Sequence, residues 1–447
     1  MSGRRGSGAP SPVGGTIPEP PSGVVSQLRV EEIAATMSCV PCKPPSRAIH
    51  FCKIGKLSGH KERVFDVSWS PSRGAGAPSR LASVGQTCGF VWSATADAEP
   101  PIRLAGNELL RVCWHVDGLH VLTGSAEGKV NICATSDGVS KAVLDASTTD
   151  EVYGLTPLSD GLLAVGAGNT MQLWDLNRAA RAVQVVEFAT ATNGIIFGGS
   201  NRNPEGKAYV FSLATRGRAM CAALSDGTVR LLDSQTLETA QVLDEHTRRG
   251  SAALAVAVSP TAPQLASSDG QGAVLLWDMR HLGKGPFAET SHQDAVHALA
   301  FVPGVGSSAG ELLATGGGDA YLRVHETQSS ALATKGSTRM LSALLCVQAA
   351  PDAASPRVAA AGGSGGLVTD AGISLWQLED VSDEDAAIAA SREAAERQEE
   401  QVAVVERGGC CESRCGEAAA REAAQGKKRK ANAPDVTLPP PPGPPPA

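Results

Sequence analysis

Short apolar runs of four to eight residues recur from about residue 47 to residue 380, each set off by a cluster of Gly, Asp or Ser. None carries a helical period. Their length and turn-rich flanks predict strands. The runs also form a larger repeat: a small-residue turn, three or four apolar residues, then Trp or a substitute. Trp92, Cys133, Trp174, Leu232, Trp277, His325 and Trp376 occupy that last place, spaced 41, 41, 58, 45, 48 and 51 residues apart. Seven units at such a period predict a repeat architecture. Each unit divides into four strands. In the sixth, "VHALAFVP" (296–303) is innermost, "ELLATGGG" second, "YLRVHET" third and "ALATKGS" (331–337) a weak fourth.

Several residues carry a family likeness. Gly59-His60, "VSWSP" (67–71), "VAVSP" (256–260) and the Trp-Asp pairs 174–175 and 277–278 resemble the WD40-repeat family over about 330 residues. The resemblance implies an all-β, seven-bladed WD40 β-propeller. It also implies a buried set that satisfies the indole N–H: a His before the first strand, a small hydroxyl residue, and an Asp in the turn after the second strand. Here that set is His246, Ser267, Asp269 and Trp277. A partial set is His292, Thr315 and Asp319, with His325 replacing Trp. In the first unit, His60 and Trp92 have Gln86 near the place where Asp is usual. A His–Ser–Asp trio mimics a hydrolase triad, but these recur with the unit period and no nucleophile elbow accompanies them.

Composition divides the chain around this ring, expected over residues 47–380. Residues 1–28 are rich in Gly, Ser and Pro and are expected to be disordered. "RAIHFCKIGKL" (47–57) is an apolar strand with no unit of its own, and is expected to close the ring as the outer strand of the last blade. Residues 382–407 predict a charged helix, with Ser382 as its N-cap and Asp383, Glu384 and Asp385 at its positive end. Residues 408–447 form a tail, expected to be disordered, that ends in "LPPPPGPPPA".

Charge and chemistry narrow the function classes. The net charge is −7 and aromatics make up 4%, which argues against direct nucleic-acid binding. No apolar run reaches the ~18 residues of a membrane helix, and the N-terminus has no signal-peptide core, so a soluble intracellular protein is expected. The cysteines, eleven in number, sit mostly in apolar runs and are expected to be free thiols. "GSAEGKV" (124–130) lacks the spacing and the Ser or Thr of a phosphate loop, and "GGSGG" (362–366) precedes no helix. Cys39 and Cys42 have no second pair at zinc-site spacing, and "CCESRC" (410–415) lies in the tail. No catalysis, cofactor or metal is expected.

A rigid ring displays loops, and loops on rigid scaffolds carry recognition. The leading expectation is a non-enzymatic protein–protein interaction scaffold, with "PSRGAGAPSR" (71–80), "GSNRNPEGK" (199–207) and "PGVGSSAGE" (303–311) as its unusual loops. A second class follows from "LASSDGQGAVLLWDMR", which resembles the box by which propellers dock onto the adaptor of cullin-4 ubiquitin ligases; Asp278 and Arg280 would face that adaptor. A third is an RNA-processing or chromatin-associated propeller. Lys427, Lys428, Arg429 and Lys430 match a monopartite nuclear signal for an import receptor, so a nuclear or nucleocytoplasmic location is expected.

Overall fold

The computed structural model describes residues 47–382, apart from 72–78, 94–99, 179–181, 190–205, 306–309, 329–331, 352–355 and 364–371, together with Asp385. It holds seven four-stranded antiparallel sheets. The inner strand of each sheet packs against that of the next, and the inner strand of the seventh, Leu344–Ala349, packs back against that of the first, Val64–Trp69. The fold is therefore a closed seven-bladed β-propeller.

Burial along the strands explains the sequence pattern. The second and third strands of a blade lie between neighbouring blades and are buried on both faces. In the fifth blade, Leu265, Ala266, Val274, Leu275, Leu276 and Trp277 are all buried. The fourth strand borders solvent, so its side chains alternate: Ala182–Glu187 is half-buried and exposed in turn. Every inner strand carries a register shift at its second residue, as between Val64 and Asp66 or between Leu344 and Cys346. Such bulges bend and twist a strand, here seven times at the same place.

The turn between second and third strands abuts the chain entering the next blade. Gly128 (φ +75°) and Gly272 (φ +95°) occupy it in the second and fifth blades. A Cβ there would fall 2.3 Å from the Ser147 carbonyl oxygen and 2.5 Å from that of His292. Only glycine combines that conformation with that approach.

Ring closure comes from both ends of the propeller sequence. Arg47–Leu57 pairs antiparallel with Ile373–Ser382 and forms the outer strand of the seventh blade. Phe51 and Trp376 meet edge to face with centroids 6.1 Å apart. This pairing carries the ring's last strand through Ser382, opposite Arg47, so the ring extends past residue 380 to a residue assigned above to the charged helix. Within the sixth blade the fourth strand is Thr334–Arg339, displaced along the chain from 331–337. Leu332 accounts for the displacement: it is buried against Ala288 and Leu299 of the blade interface, and pairing begins only at Thr334 opposite His325.

Candidate functional site

The fifth blade contains the four-residue set in full. A one-turn helix, Glu245–Arg248, delivers His246 to the interface of the fourth and fifth blades. Trp277 packs there among Cys221, Leu231 and Leu275. Its indole N–H donates to Ser267 Oγ at 2.9 Å, and the same hydroxyl lies 2.8 Å from His246 Nε2. His246 Nδ1 then meets Asp269 Oδ2 at 3.0 Å, while Asp269 Oδ1 accepts from the backbone N–H groups of Gln271 and Ala273. An indole only donates and a carboxylate only accepts, so with a neutral imidazole the donors run from Trp277 to Ser267, from Ser267 to His246 and from His246 to Asp269. Burial works against the Asp269 charge, but the His246 bond and the two backbone donors outweigh it and hold the carboxyl below its ordinary range.

The sixth blade varies the scheme. His292 reaches Asp319 at 3.0 Å and Thr315 Oγ1 at 2.7 Å, and Thr315 Oγ1 lies 3.0 Å from His325 Nε2. Burial pushes the His325 imidazole down to about 3. In the first blade Ser83 Oγ accepts from Trp92 at 2.7 Å and meets His60 at 2.7 Å. No hydrogen bond from His60 to Gln86 is seen among the described residues, and burial pushes the imidazole down to about 4.

The other blades show what happens when one member is replaced. Val165 stands in the hydroxyl place of the third blade, and Gln172 takes over: its Oε1 accepts from Trp174 at 3.0 Å and its amide donates to the Ala146 carbonyl. In the second blade Cys133 stands in for Trp, and the buried Thr123 hydroxyl has no partner among the described residues. In the seventh, Ala360 stands in for the hydroxyl, and the buried Trp376 indole N–H is likewise without one. Sequence reasoning named the full set of the fifth blade and the partial set of the sixth because their residue types recur at the same places in the repeat. It missed Gln172, whose role depends on a side chain reaching along its own strand.

These sets are struts between strands and blades. Ser267 is 0% exposed and His246 1%, so no substrate reaches the trio. Further struts cross the inner ring. Asp66 accepts from the N–H groups of Val67 and Val112 at 3.0 Å each, and Arg111 donates to the carbonyls of Tyr153 and Phe211 at 2.7 Å each. Burial pushes the Asp66 carboxyl up, against the pull of the Arg111 charge. Both line a central cavity of about 370 Å³.

The surface features divide differently. Arg280, its side chain 68% exposed, grips Asp278 through two bonds of 3.0 Å, and both border a cavity of about 450 Å³ with Phe287 and Gln264. The Arg280 contacts hold the Asp278 carboxyl well below the usual carboxylate range. "GSAEGKV" is a hairpin turn between strands His120–Ser125 and Lys129–Ala134. Cys88, Cys113, Cys133, Cys221 and Cys346 are buried free thiols. Lys427, Lys428, Arg429, Lys430, Cys39, Cys42 and 410–415 lie outside the described residues, as do the centres of the three unusual loops.

Another cluster escaped the sequence reading. His115, Asp117 and His120 converge in the hairpin between the first and second strands of the second blade. The H-x-D-x-x-H spacing was its available signal.

The geometry defines a seven-bladed β-propeller with buried polar struts between its blades. No family model matches the chain, and no curated protein matches it.

Proposed function

We propose that this chain is a WD40-type propeller serving as a non-enzymatic protein-interaction scaffold, as a subunit of a nuclear or nucleocytoplasmic complex. The observation that carries this reading is the complete chain from Trp277 through Ser267 and His246 to Asp269. It uses the chemistry of a hydrolase triad to brace an interface. A braced, closed ring holds its loops in fixed positions, and that pre-organisation lowers the entropic cost of binding a partner.

Affinity purification of the tagged chain, followed by mass spectrometry, tests the reading. Co-purifying proteins are expected with the wild type and are expected to be lost with Trp277→Ala. A chain that migrates alone at its monomer mass in a native extract would contradict it. The location rests on the basic run 427–430: residues 420–447 fused to a cytoplasmic reporter should carry it into the nucleus, and a reporter that stays outside removes that part.

A second reading is a substrate receptor for a cullin-4 type ubiquitin ligase. The pair formed by half-buried Asp278 and exposed Arg280 at the end of the third strand favours it. Replacing both residues with Ala should abolish adaptor co-purification while the ring melts unchanged; unchanged recovery sinks this reading.

A further inference from the structure

The hairpin His115–His120 has a construction beyond what a turn requires. Gly118 (φ +61°) makes the reversal, and the His115 N–H donates to the His120 carbonyl at 3.0 Å. Asp117 spends one carboxylate oxygen on the turn itself: Oδ1 accepts from the N–H groups of Leu119 at 2.7 Å and His120 at 3.1 Å. The other oxygen, Oδ2, faces two imidazoles at once. His120 Nδ1 lies 2.7 Å from it and His115 Nδ1 3.0 Å. Burial works against the Asp117 charge, yet the bonds from His120, Leu119 and His115 hold the carboxyl down to about 2. The second oxygen is thus aimed at both rings.

We propose that His115, Asp117 and His120 form a binding site for a divalent first-row transition-metal ion, zinc being the best fit. One donor atom from each residue lies within 4.8 Å of the others. Tetrahedral zinc, with bonds of about 2.0–2.1 Å to nitrogen and oxygen, needs donors about 3.3 Å apart. Small rotations of three side chains that are each at least a fifth exposed reach that spacing. Two imidazoles and one carboxylate suit zinc, cobalt, nickel or copper better than calcium or magnesium, which prefer oxygen sets. The bonds from Leu119 and His120 to Oδ1 act as the outer support that fixes a ligating carboxylate. Three protein ligands leave a fourth position for water. Since His115 also lines the central cavity, the ion would sit at that cavity's edge.

The test uses the full chain after chelator treatment. Zinc is titrated by calorimetry, and cobalt is bound in parallel as an optical probe. Wild type is compared with His115→Gln and His120→Gln, each checked by thermal melting without metal. The expected result is one equivalent of zinc in the wild type, at least tenfold weaker in each variant, with cobalt bands free of a thiolate charge-transfer feature. Equal affinity in wild type and both variants overturns the site. So does a thiolate feature common to all three proteins, which would assign the ion to cysteines, and so does wild-type binding only at millimolar zinc. If one substitution lowers the melting temperature, the other variant decides.

Discussion

His246 and Asp269 are 23 residues apart in sequence and 3.0 Å apart in the ring, with side chains 1% and 0% exposed. Neither can reach water, so each depends on the other. Removing one partner of such a buried pair strands the other.

Asp269→Ala should therefore destabilise the ring by about 3–5 kcal/mol at neutral pH. The pH dependence has a definite sign. The Asp269 carboxyl is held below its ordinary value in the folded chain. Its contribution is then present above the ordinary carboxylate range and is lost as pH falls below about 4. Urea unfolding of wild type and variant at pH 7 and pH 3 checks this: the gap should narrow in acid. A gap of equal size at both values contradicts the assignment.

His60 predicts a second loss on the acid side, at higher pH, since burial lowers its imidazole from 6.5 to about 4 and no carboxylate among the described residues bonds to it. The unfolded chain takes up a proton at this group before the folded chain does. Stability is complete above about pH 6.5 and falls as pH drops toward 4, by about 3 kcal/mol at full extent. His325 and His292 are lowered in the same sense, so the reading is a difference between proteins. His60→Gln should show a shallower loss over that window than the wild type. Parallel curves would remove His60 from the account.

The tryptophans of the fifth and seventh blades should respond differently to the same change. Trp277→Phe deprives Ser267 of its donor inside a buried chain and should cost about 1–3 kcal/mol. Trp376→Phe removes a buried N–H that no described residue accepts, so its cost should stay within about 1 kcal/mol. Thermal melting of the two variants side by side decides it. Equal losses would mean that packing volume, and not the hydrogen bond, sets the role of both rings.

How far these features could be read from the sequence depended on what each residue's role rests upon. The blade number was legible because every blade needs glycine or polar turns and doubly buried central strands, both visible as patterns. His246, Ser267, Asp269 and Trp277 were legible because a donor chain of that type requires those residue types. Partners that replace a missing member were not: Gln172 reaches Trp174 along one strand, and no spacing rule announces it. The last strand of the sixth blade was misplaced because Leu332 is as apolar as a strand residue, yet it is buried in the cluster between the fifth and sixth blades, outside the strand pairing. The convergence of His115, Asp117 and His120 depends on a hairpin whose turn folds the two rings onto one oxygen.

The central claim is that the ring is closed by the strand Arg47–Leu57. Ten residues of Arg47–Leu57 are registered against Ile373–Ser382, and Phe51 is buried there at 2% exposure. Without that strand the seventh blade would end in an open edge of unpaired backbone groups, a template for aggregation. The most direct measurement compares thermal melting and solubility of three proteins: the full chain, the chain lacking residues 1–28, and the chain beginning at Leu57. The account predicts that the first two melt together, and that the third loses cooperative unfolding or precipitates. A chain beginning at Leu57 that stays soluble and melts at the temperature of the full ring would contradict it.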